Sequence, residues 1–446
     1  MKLLKVALLS IAAGAALPVL ATDGYFASGY GITAKGMGGA ATAMSKDTFG
    51  GANNPASMVW VGNRVDVGVE WFSPQRKASR SGSLAGLDGE AKSGSTNFYI
   101  PEFGYNHMLN DYTSLGVTVY GNGGMNTDYP GGQVAAGNPV CGGFAHPSPG
   151  PYNLLCGSGR LNMDLAQVIV APTLAYKLNE RHSIGISPLL AYQRFKIDGL
   201  DGFQFFTHSM TPGKLSNAGY DSSRGFGVRV GWMGVINEAL TLGAAYSSKL
   251  KMSNFDKYKE LYAEQGGFDI PENFSLGVAV KASSALTLAM DYQRINYGGI
   301  KAIANSGANA SAFPGGGGLP PGSVGSLGCD NCRGFGWRSV NVYKLGIEYA
   351  YSPVLTLRGG YNHTDNPVQP SEMTFNIIAP GVVKNHVTLG FTYDVAKDQA
   401  LTMAYGHAFK NSVSGASLFN SFGIPAGNEK VEMYQNMVGI GYSWKL

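Results

Sequence analysis

The feature that most limits how this chain can fold is an alternation of apolar and polar side chains, sustained from Arg64 to Leu446. In Leu286–Gln293, leucine, methionine and tyrosine alternate with threonine, alanine, aspartate and glutamine. Because successive side chains of a strand point to opposite faces, the pattern predicts strands with one apolar and one polar face. After the first 21 residues, no apolar stretch approaches the roughly 18 residues that a membrane-spanning helix needs.

Composition narrows the class of β protein. The 446 residues include 64 glycines and 24 tyrosines, and only 14% are charged. That is a low charge content for a soluble domain of this length. Glycine, tyrosine and alternating apolar residues are typical of a transmembrane β-barrel, whose exterior is apolar and whose lumen is polar. A soluble β-sandwich also alternates, so the pattern alone does not separate the two classes.

The spacing of turns predicts fourteen antiparallel strands, joined alternately by short polar turns and long irregular loops, over residues 64–446. The first strand is predicted at Arg64–Ser73, the third at Thr113–Asn122 and the thirteenth at Leu401–Lys410. An even number of strands puts both ends of the barrel on the side of the short turns, which face the periplasm in such proteins. The expected fold class is therefore all-β.

The first 21 residues have the features of a signal peptide. Lys2 and Lys5 precede an apolar run, and small or apolar residues lead to Ala21. Residues 1–21 are therefore expected to be removed. Removing the two lysines from the 33 basic residues leaves 31 against 29 acidic residues, so nothing in the charge balance suggests a nucleic-acid partner.

A small-residue segment, Gly29–Met58, lies between the leader and the first strand. It contains seven glycines, has neither helical nor strand periodicity, and ends in Asn53, Asn54 and Pro55. Such a segment can pack its backbone closely against other walls, although a disordered N-terminus has similar composition. Its GMGGAATAMSKD and NNPASM motifs resemble the N-terminal hatch of the FadL family of outer-membrane transporters for long-chain fatty acids and other hydrophobic compounds.

This resemblance implies a division into a signal peptide (1–21), a hatch inside the lumen (22–63) and a fourteen-stranded barrel (64–446). It also implies passive uptake by a monomer in the outer membrane of a Gram-negative bacterium, with a ligand released sideways after a hatch rearrangement. The hatch motif would be Asn54, Pro55 and Ala56. The expected partners are a long-chain fatty acid or other hydrophobic small molecule, outer-membrane lipid and lipopolysaccharide, and the barrel-insertion machinery.

Glycines interrupt the third predicted strand at Gly121, Gly123 and Gly124. Clustered glycines weaken a strand and mark a bulge, a kink or simply its end at a loop. In the FadL family, a kink in the third strand opens the barrel wall, so the resemblance implies a lateral opening here.

Two loops carry aromatic clusters that the sequence predicts to lie outside the membrane. One contains Phe203, Phe205 and Phe206. The other, Asn254–Gln265, is predicted to be helical, and its apolar stripe consists of Phe255, Tyr258, Leu261 and Tyr262. The two loops either pack on each other or leave a groove where a hydrophobic ligand first binds, and the resemblance favours the groove.

The alternation places Arg229 and Arg358 on the lumen face. An inward arginine can bind a ligand carboxylate, but it can equally pair with a carboxylate of the hatch or wall, such as Asp291. If both arginines are paired, a neutral ligand is favoured over an acid.

The four cysteines are disulfide candidates, because the leader implies an oxidising compartment. The nearest pairings are Cys141 with Cys156 and Cys329 with Cys332, and both couples lie in long loops. The second couple could instead form half of a zinc or redox site, but no second CxxC motif or nearby histidine supports this.

The sequence gives no sign of catalysis. The seven histidines are scattered, no GxSxG motif occurs, and no metal or cofactor site is indicated. The expectation is a transporter and not an enzyme. Two alternatives remain: a monoaromatic hydrocarbon channel of the same family, or a general diffusion porin, which would lack the small-residue hatch.

Overall fold

The computed structural model describes residues 23–143, 149–209, 211–307 and 327–446. The predicted leader, Met1–Ala21, lies outside the described residues. The strands, in chain order, are β1 (Arg64–Ser81), β2 (Gly89–Lys92), β3 (Phe98–Asn110), β4 (Thr113–Tyr129), β5 (Leu161–Lys177), β6 (His182–Asp198), β7 (Asp221–Val235), β8 (Leu240–Ser247), β9 (Lys251–Met252), β10 (Asn273–Lys281), β11 (Leu286–Ile295), β12 (Val340–Ser352), β13 (Leu355–Thr364), β14 (Asn385–Ala396), β15 (Gln399–Ala416) and β16 (Asn428–Lys445).

The strands form one antiparallel sheet that closes on itself. The long strands pair in chain order, and β1 pairs with β16 from Arg64 opposite Lys445 to Ser81 opposite Asn428. The short strands stand outside this ring, since β2 pairs only with β1 and β9 only with β7. The ring therefore has fourteen strands, which confirms the predicted number. Several strands are longer than predicted, notably β1 and β15, which continue past the apolar band.

The predicted alternation is present around the ring. On β11, Leu288 and Met290 are exposed on the outside, whereas Ala289 and Asp291 are buried on the inside. Apolar side chains such as Leu389 of β14 and Ile347 of β12 are likewise more than half exposed. A contiguous apolar exterior of this kind matches the lipid-facing band of a transmembrane barrel.

The connections alternate in length. At one end of the barrel, short turns join β3 to β4 and β14 to β15, and at the other end long loops cover the opening. Two disulfides, Cys141–Cys156 and Cys329–Cys332, lie in these long loops. Among the described residues, no helix has the length and apolarity needed to cross a membrane.

The predicted helix at Asn254–Gln265 is wrong. The segment forms a short turn at Asp256–Tyr258 and a four-residue helix at Ala263–Gly266, in which Glu264 and Gln265 have left-handed backbone angles. Its aromatic side chains are buried against β6, where Phe195 contacts Phe255, Tyr258 and Tyr262 at ring distances of 5.4, 4.7 and 4.9 Å. Tertiary packing of the aromatic side chains thus overrides the helical periodicity.

Candidate functional site

The N-terminal segment (residues 23–62) lies within the ring of strands. It consists of short helical turns at Ile32–Lys35, Phe49–Gly51 and Pro55–Trp60 joined by irregular chain. Its polar groups bond to the inner face of strands on different sides: Thr48 to Asp66 of β1, Thr42 to Asp291 of β11, and Gly38 to Thr388 of β14. Contacts in these separate directions place the segment inside the lumen.

Small residues allow this close packing. Gly39 has a left-handed backbone, with φ of 87°, and a Cβ there would overlap the carbonyl oxygen of Ser28. A Cβ on Gly360 of β13 would overlap the backbone of Gly38. Glycine on both the segment and the wall is therefore a steric requirement of this arrangement.

The Asn54-Pro55-Ala56 motif joins the N-terminal segment to the wall. The side-chain oxygen of Asn54 accepts a hydrogen bond from the Ala56 amide at 3.1 Å and caps the turn Pro55–Trp60. The side-chain amide nitrogen of Asn54 donates to the carbonyls of Thr42 and of Trp232 in β7, at 2.8 and 2.9 Å. Ser183 of β6 donates to the Ala56 carbonyl at 2.8 Å. The motif thus links the segment to two strands.

A buried charge cluster joins another part of the segment to the wall. The Lys35 ammonium lies 2.5 Å from Glu70 of β1 and 3.2 Å from Glu102 of β3. Glu102 also accepts from the Gly31 amide at 3.3 Å. Sequence reasoning did not single out these residues. The available signal was that Glu70 and Glu102 occupy lumen positions of the alternation, where acidic residues need partners.

Both predicted lumen arginines face inward, and both already have protein partners. Arg229 donates to the carbonyls of Gly51 and Ala52 in the N-terminal segment. Arg358 forms an ion pair with Glu348, with nitrogen–oxygen distances of 2.9 Å. Arg358 therefore has a carboxylate partner, whereas the contacts of Arg229 are with neutral backbone oxygens.

The predicted third strand, β4, does not end at its glycines but continues to Tyr129. Its pairing with β5 shifts register between Gly121 and Gly123, so Asn122 forms a bulge. The bulge contacts the N-terminal segment: the Tyr30 hydroxyl donates to the Asn122 carbonyl at 3.1 Å, and the Gly124 amide donates to the Tyr25 carbonyl at 3.1 Å.

The barrel wall is broken beside this bulge. β3 and β4 pair from Asn110 opposite Thr113 to Phe103 opposite Val119. Beyond that point, within residues 93–129, all of which the structure describes, the next backbone bond between the two sides runs from the Gly94 amide to the Asp128 carbonyl at 2.8 Å. We call the unpaired stretch between Phe98–Glu102 and Tyr120–Thr127 the β3–β4 window.

The aromatic residues of the two long loops are buried and lie in different clusters. Phe203 and Phe206 pack on aromatic residues of later loops, including Phe375 and Phe419. Phe255, Tyr258, Leu261 and Tyr262 are also buried, the aromatic ones around Phe195. Phe205 lies in the turn Asp201–Phe206, and its side chain is not described. The loops do not leave an open groove between these residues in this conformation.

The cores of both clusters belong to one connected set of buried apolar side chains. The set continues through Tyr25 and Phe26 of the N-terminal segment to Phe98 and Met125 at the β3–β4 window. In the described part of the chain, no group of three or more histidine, cysteine or acidic residues has a metal-binding arrangement.

A closed antiparallel barrel of fourteen strands with an apolar exterior and a polar lumen is the architecture of an outer-membrane protein. The chain belongs to the family described as outer membrane protein transport protein (OMPP1/FadL/TodX), which matches residues 153–418, more than half of the chain. This family consists of β-barrel transporters of hydrophobic compounds.

Solved structures share the fold at low sequence identity. The toluene transporter TodX of Pseudomonas putida has a TM-score of 0.66 and 18% identity, over 94% of this chain and 99% of that chain. A FadL homologue of Pseudomonas aeruginosa has a TM-score of 0.65 and 14% identity, over 95% and 99%. The toluene transporter TbuX of Ralstonia pickettii has a TM-score of 0.60 and 16% identity, over 94% and 99%. No curated protein matches the chain.

Proposed function

We propose that this protein takes up long-chain fatty acids passively across the outer membrane, with residues 22–63 as a hatch and the β3–β4 window as the lateral exit. The observation that carries the proposal is the window itself. It combines a bulge in β4, a loss of pairing with β3, and direct contact with Tyr25 and Tyr30 of the hatch.

The continuous apolar core supports an alkyl substrate. Buried apolar side chains extend without interruption from the external aromatic clusters, past the hatch, to the window. A long alkyl chain gains about 0.8 kcal/mol for each methylene that it buries. A fatty acid can therefore stay in contact with apolar side chains while it moves from the loops to the wall. No energy source is required, because release into the bilayer is downhill.

The aromatic residues of the long loops form a first binding region for the ligand only if they move apart from the side chains that they now contact. Phe203, Phe206, Phe255 and Tyr262 are buried in the described conformation. A hydrophobic ligand would take the place of the aromatic contacts that these residues now make with one another. The hatch would then move away from Asn122, opening the path to the window.

A monoaromatic hydrocarbon is the second candidate substrate. Arg358 is already paired with Glu348, which removes one site for an acidic group, and TodX and TbuX, which share the fold, are toluene transporters. A small aromatic compound buries less apolar area than a long alkyl chain, so its affinity is expected to be lower.

Equilibrium binding separates these functions. The purified, folded protein is titrated in parallel with a long-chain fatty acid and with toluene. Micromolar or tighter binding of the acid, together with uptake into proteoliposomes, supports the proposal. Binding of toluene alone identifies a hydrocarbon channel, and binding of neither compound would overturn both candidate substrates.

A further inference from the structure

Two buried arginines on β1, Arg76 and Arg80, differ in whether they have an ion-pair partner. Arg80 forms an ion pair with Glu429 at 2.5 Å, and neither side chain is exposed. Arg76, two inward positions earlier, is 5% exposed and has no ion-pair partner among the described residues. Its Nη1 donates to the Ser95 carbonyl at 3.1 Å, while its Nη2 is buried without any partner.

An arginine that is buried without a counter-ion is costly. A buried charge is normally paired, because its desolvation is otherwise not compensated. Ionisable residues that face the interior of a membrane protein therefore often mark the path of a substrate. Arg76 needs an anion that the described chain does not supply.

The position of Arg76 is at the edge of the β3–β4 window, on the side of the long loops. The Ser93 amide donates to the Arg76 carbonyl at 2.9 Å, and the neighbouring Gly94 amide donates to the Asp128 carbonyl. The second of these bonds closes the window above its unpaired stretch, and the first joins Arg76 to the residue next to that bond. Arg76 thus lies where a ligand would leave the lumen.

A second buried donor is close to Arg76. Tyr129, the last residue of β4, is fully buried, and its hydroxyl has no hydrogen-bond partner. The backbone bonds bring the two strands together here, because Ser93 bonds to Arg76 and the adjacent Gly94 bonds to Asp128, which precedes Tyr129. Together Arg76 and Tyr129 offer a charged fork and a hydroxyl, which is a donor set suited to a carboxylate.

Buried apolar side chains precede both donors on their own strands. Phe72, Phe98 and Met125 are buried in the same cluster as Tyr129, and the rings of Phe72 and Phe98 are 6.3 Å apart. A ligand with an anionic head and a long alkyl tail matches both parts: the head pairs with Arg76, and the tail lies along the aromatic residues toward the opening.

We propose that Arg76 and Tyr129 bind the carboxylate of a long-chain acid at the β3–β4 window and so distinguish fatty acids from neutral hydrocarbons of the same length. This inference rests on the proposed function, and it assigns the acid specificity to residues other than Arg229 and Arg358.

The test compares binding of a long-chain fatty acid and of its methyl ester by the folded wild type and by Arg76→Gln. The wild type should bind the acid more tightly than the ester. Arg76→Gln should weaken binding of the acid roughly tenfold to a hundredfold, which is the range of a charge-assisted hydrogen bond, and leave ester binding unchanged.

Lys77→Gln is the matched control, because it removes the same charge from the adjacent residue, which pairs with Glu90 on the outside at 2.6 Å. It should leave both affinities unchanged. Tyr129→Phe keeps the apolar packing and should weaken acid binding more than ester binding. If Arg76→Gln does not fold, Arg76→Lys, which keeps the charge, is compared with Tyr129→Phe.

Equal affinity of the wild type for acid and ester would overturn the assignment, and so would an unchanged acid-to-ester ratio in both Arg76→Gln and Tyr129→Phe. In either case the proposed uptake function would stand, because the ligands would still bind. Absence of binding of both acid and ester to the wild type would instead overturn the proposed function.

Discussion

The Lys35 ammonium lies 2.5 Å from a carboxylate oxygen of Glu70, and both side chains are buried between the N-terminal segment and the barrel wall. Glu102 completes the cluster at 3.2 Å. Burial by itself would lower the pKa of the Lys35 ammonium. The attraction of the two carboxylates outweighs burial and raises this pKa, so Lys35 stays charged. The N-terminal segment is thus held to β1 and β3 by one cation shared between two anions.

Lys35→Met should release this side of the hatch. The substitution leaves two buried carboxylates without a cation, at a cost of about 3–5 kcal/mol in hatch docking. We expect faster proteolysis of residues 23–62 and larger conductance in planar bilayers, with the barrel still heat-resistant. Lys46→Met is the control, since Lys46 is 41% exposed and Glu348 keeps its pair with Arg358. A hatch as protected in Lys35→Met as in wild type would contradict the prediction.

Gly123→Val should impair uptake while leaving ligand binding at the surface intact. A Cβ at this position would overlap the Tyr25 carbonyl, so a valine side chain fills the contact between the N-terminal segment and the bulge of β4, where the ligand would have to pass. Proteoliposome uptake and equilibrium binding are measured on the same preparation. Gly359→Val is the control, because its Cβ would meet no atom closer than 3.9 Å. Equal loss of binding and uptake would argue against a lateral exit at the window.

The same test extends to valine at Gly121, which together with Gly123 flanks the register shift, and at the adjacent Gly124. We expect the triple variant to bind ligand at the loops and to transport little of it, because a regular β4 would pair with β3 and close the window.

Deletion of Thr22–Met58 should turn the protein into an unselective pore. The segment makes hydrogen bonds to strands around the lumen, and its removal leaves a polar channel through a fourteen-stranded ring. Antibiotic and sugar permeability of cells that make the variant should rise severalfold over cells with the full chain. Unchanged permeability, with the variant inserted in the membrane, would show that these residues do not plug the lumen.

The packing of the N-terminal segment against the barrel wall at Asp23 should depend on pH. Burial raises the pKa of the Asp23 carboxyl to about 6, although Lys344 and Asn362 act in the opposite direction. The docked carboxyl holds its proton more tightly than an exposed one. Docking is therefore strongest below about pH 4 and weakens as the pH rises through 6, by up to about 3 kcal/mol.

Hydrogen exchange of residues 23–30 at pH 5 and pH 8 measures this dependence. Protection should be greater at pH 5, and Asp23→Asn, which cannot ionise, should remove most of the difference. A difference of the same size in Asp23→Asn would assign the pH dependence to another group.

The sequence by itself determined the barrel. Alternation along strands such as β11 fixes which side chains face lipid and which face the lumen, because a strand has only two faces. Short and long connections then separate the strands, and the largest boundary errors are at β1, β4 and β15, which continue further than the alternation predicted.

Only the tertiary structure decided what the lumen side chains contact. Alternation placed Arg229 and Arg358 inside, but it did not identify their partners, Gly51 and Glu348, which lie 178 and 10 positions away in the sequence. Lys35 likewise pairs with Glu70 and Glu102, which lie 35 and 67 positions away. The helix predicted at Asn254–Gln265 does not form for the same reason, because its aromatic residues pack on Phe195 of β6, which is distant in the sequence. The β3–β4 window and the unpaired Arg76 are properties of strand pairing and burial, which no local pattern specifies.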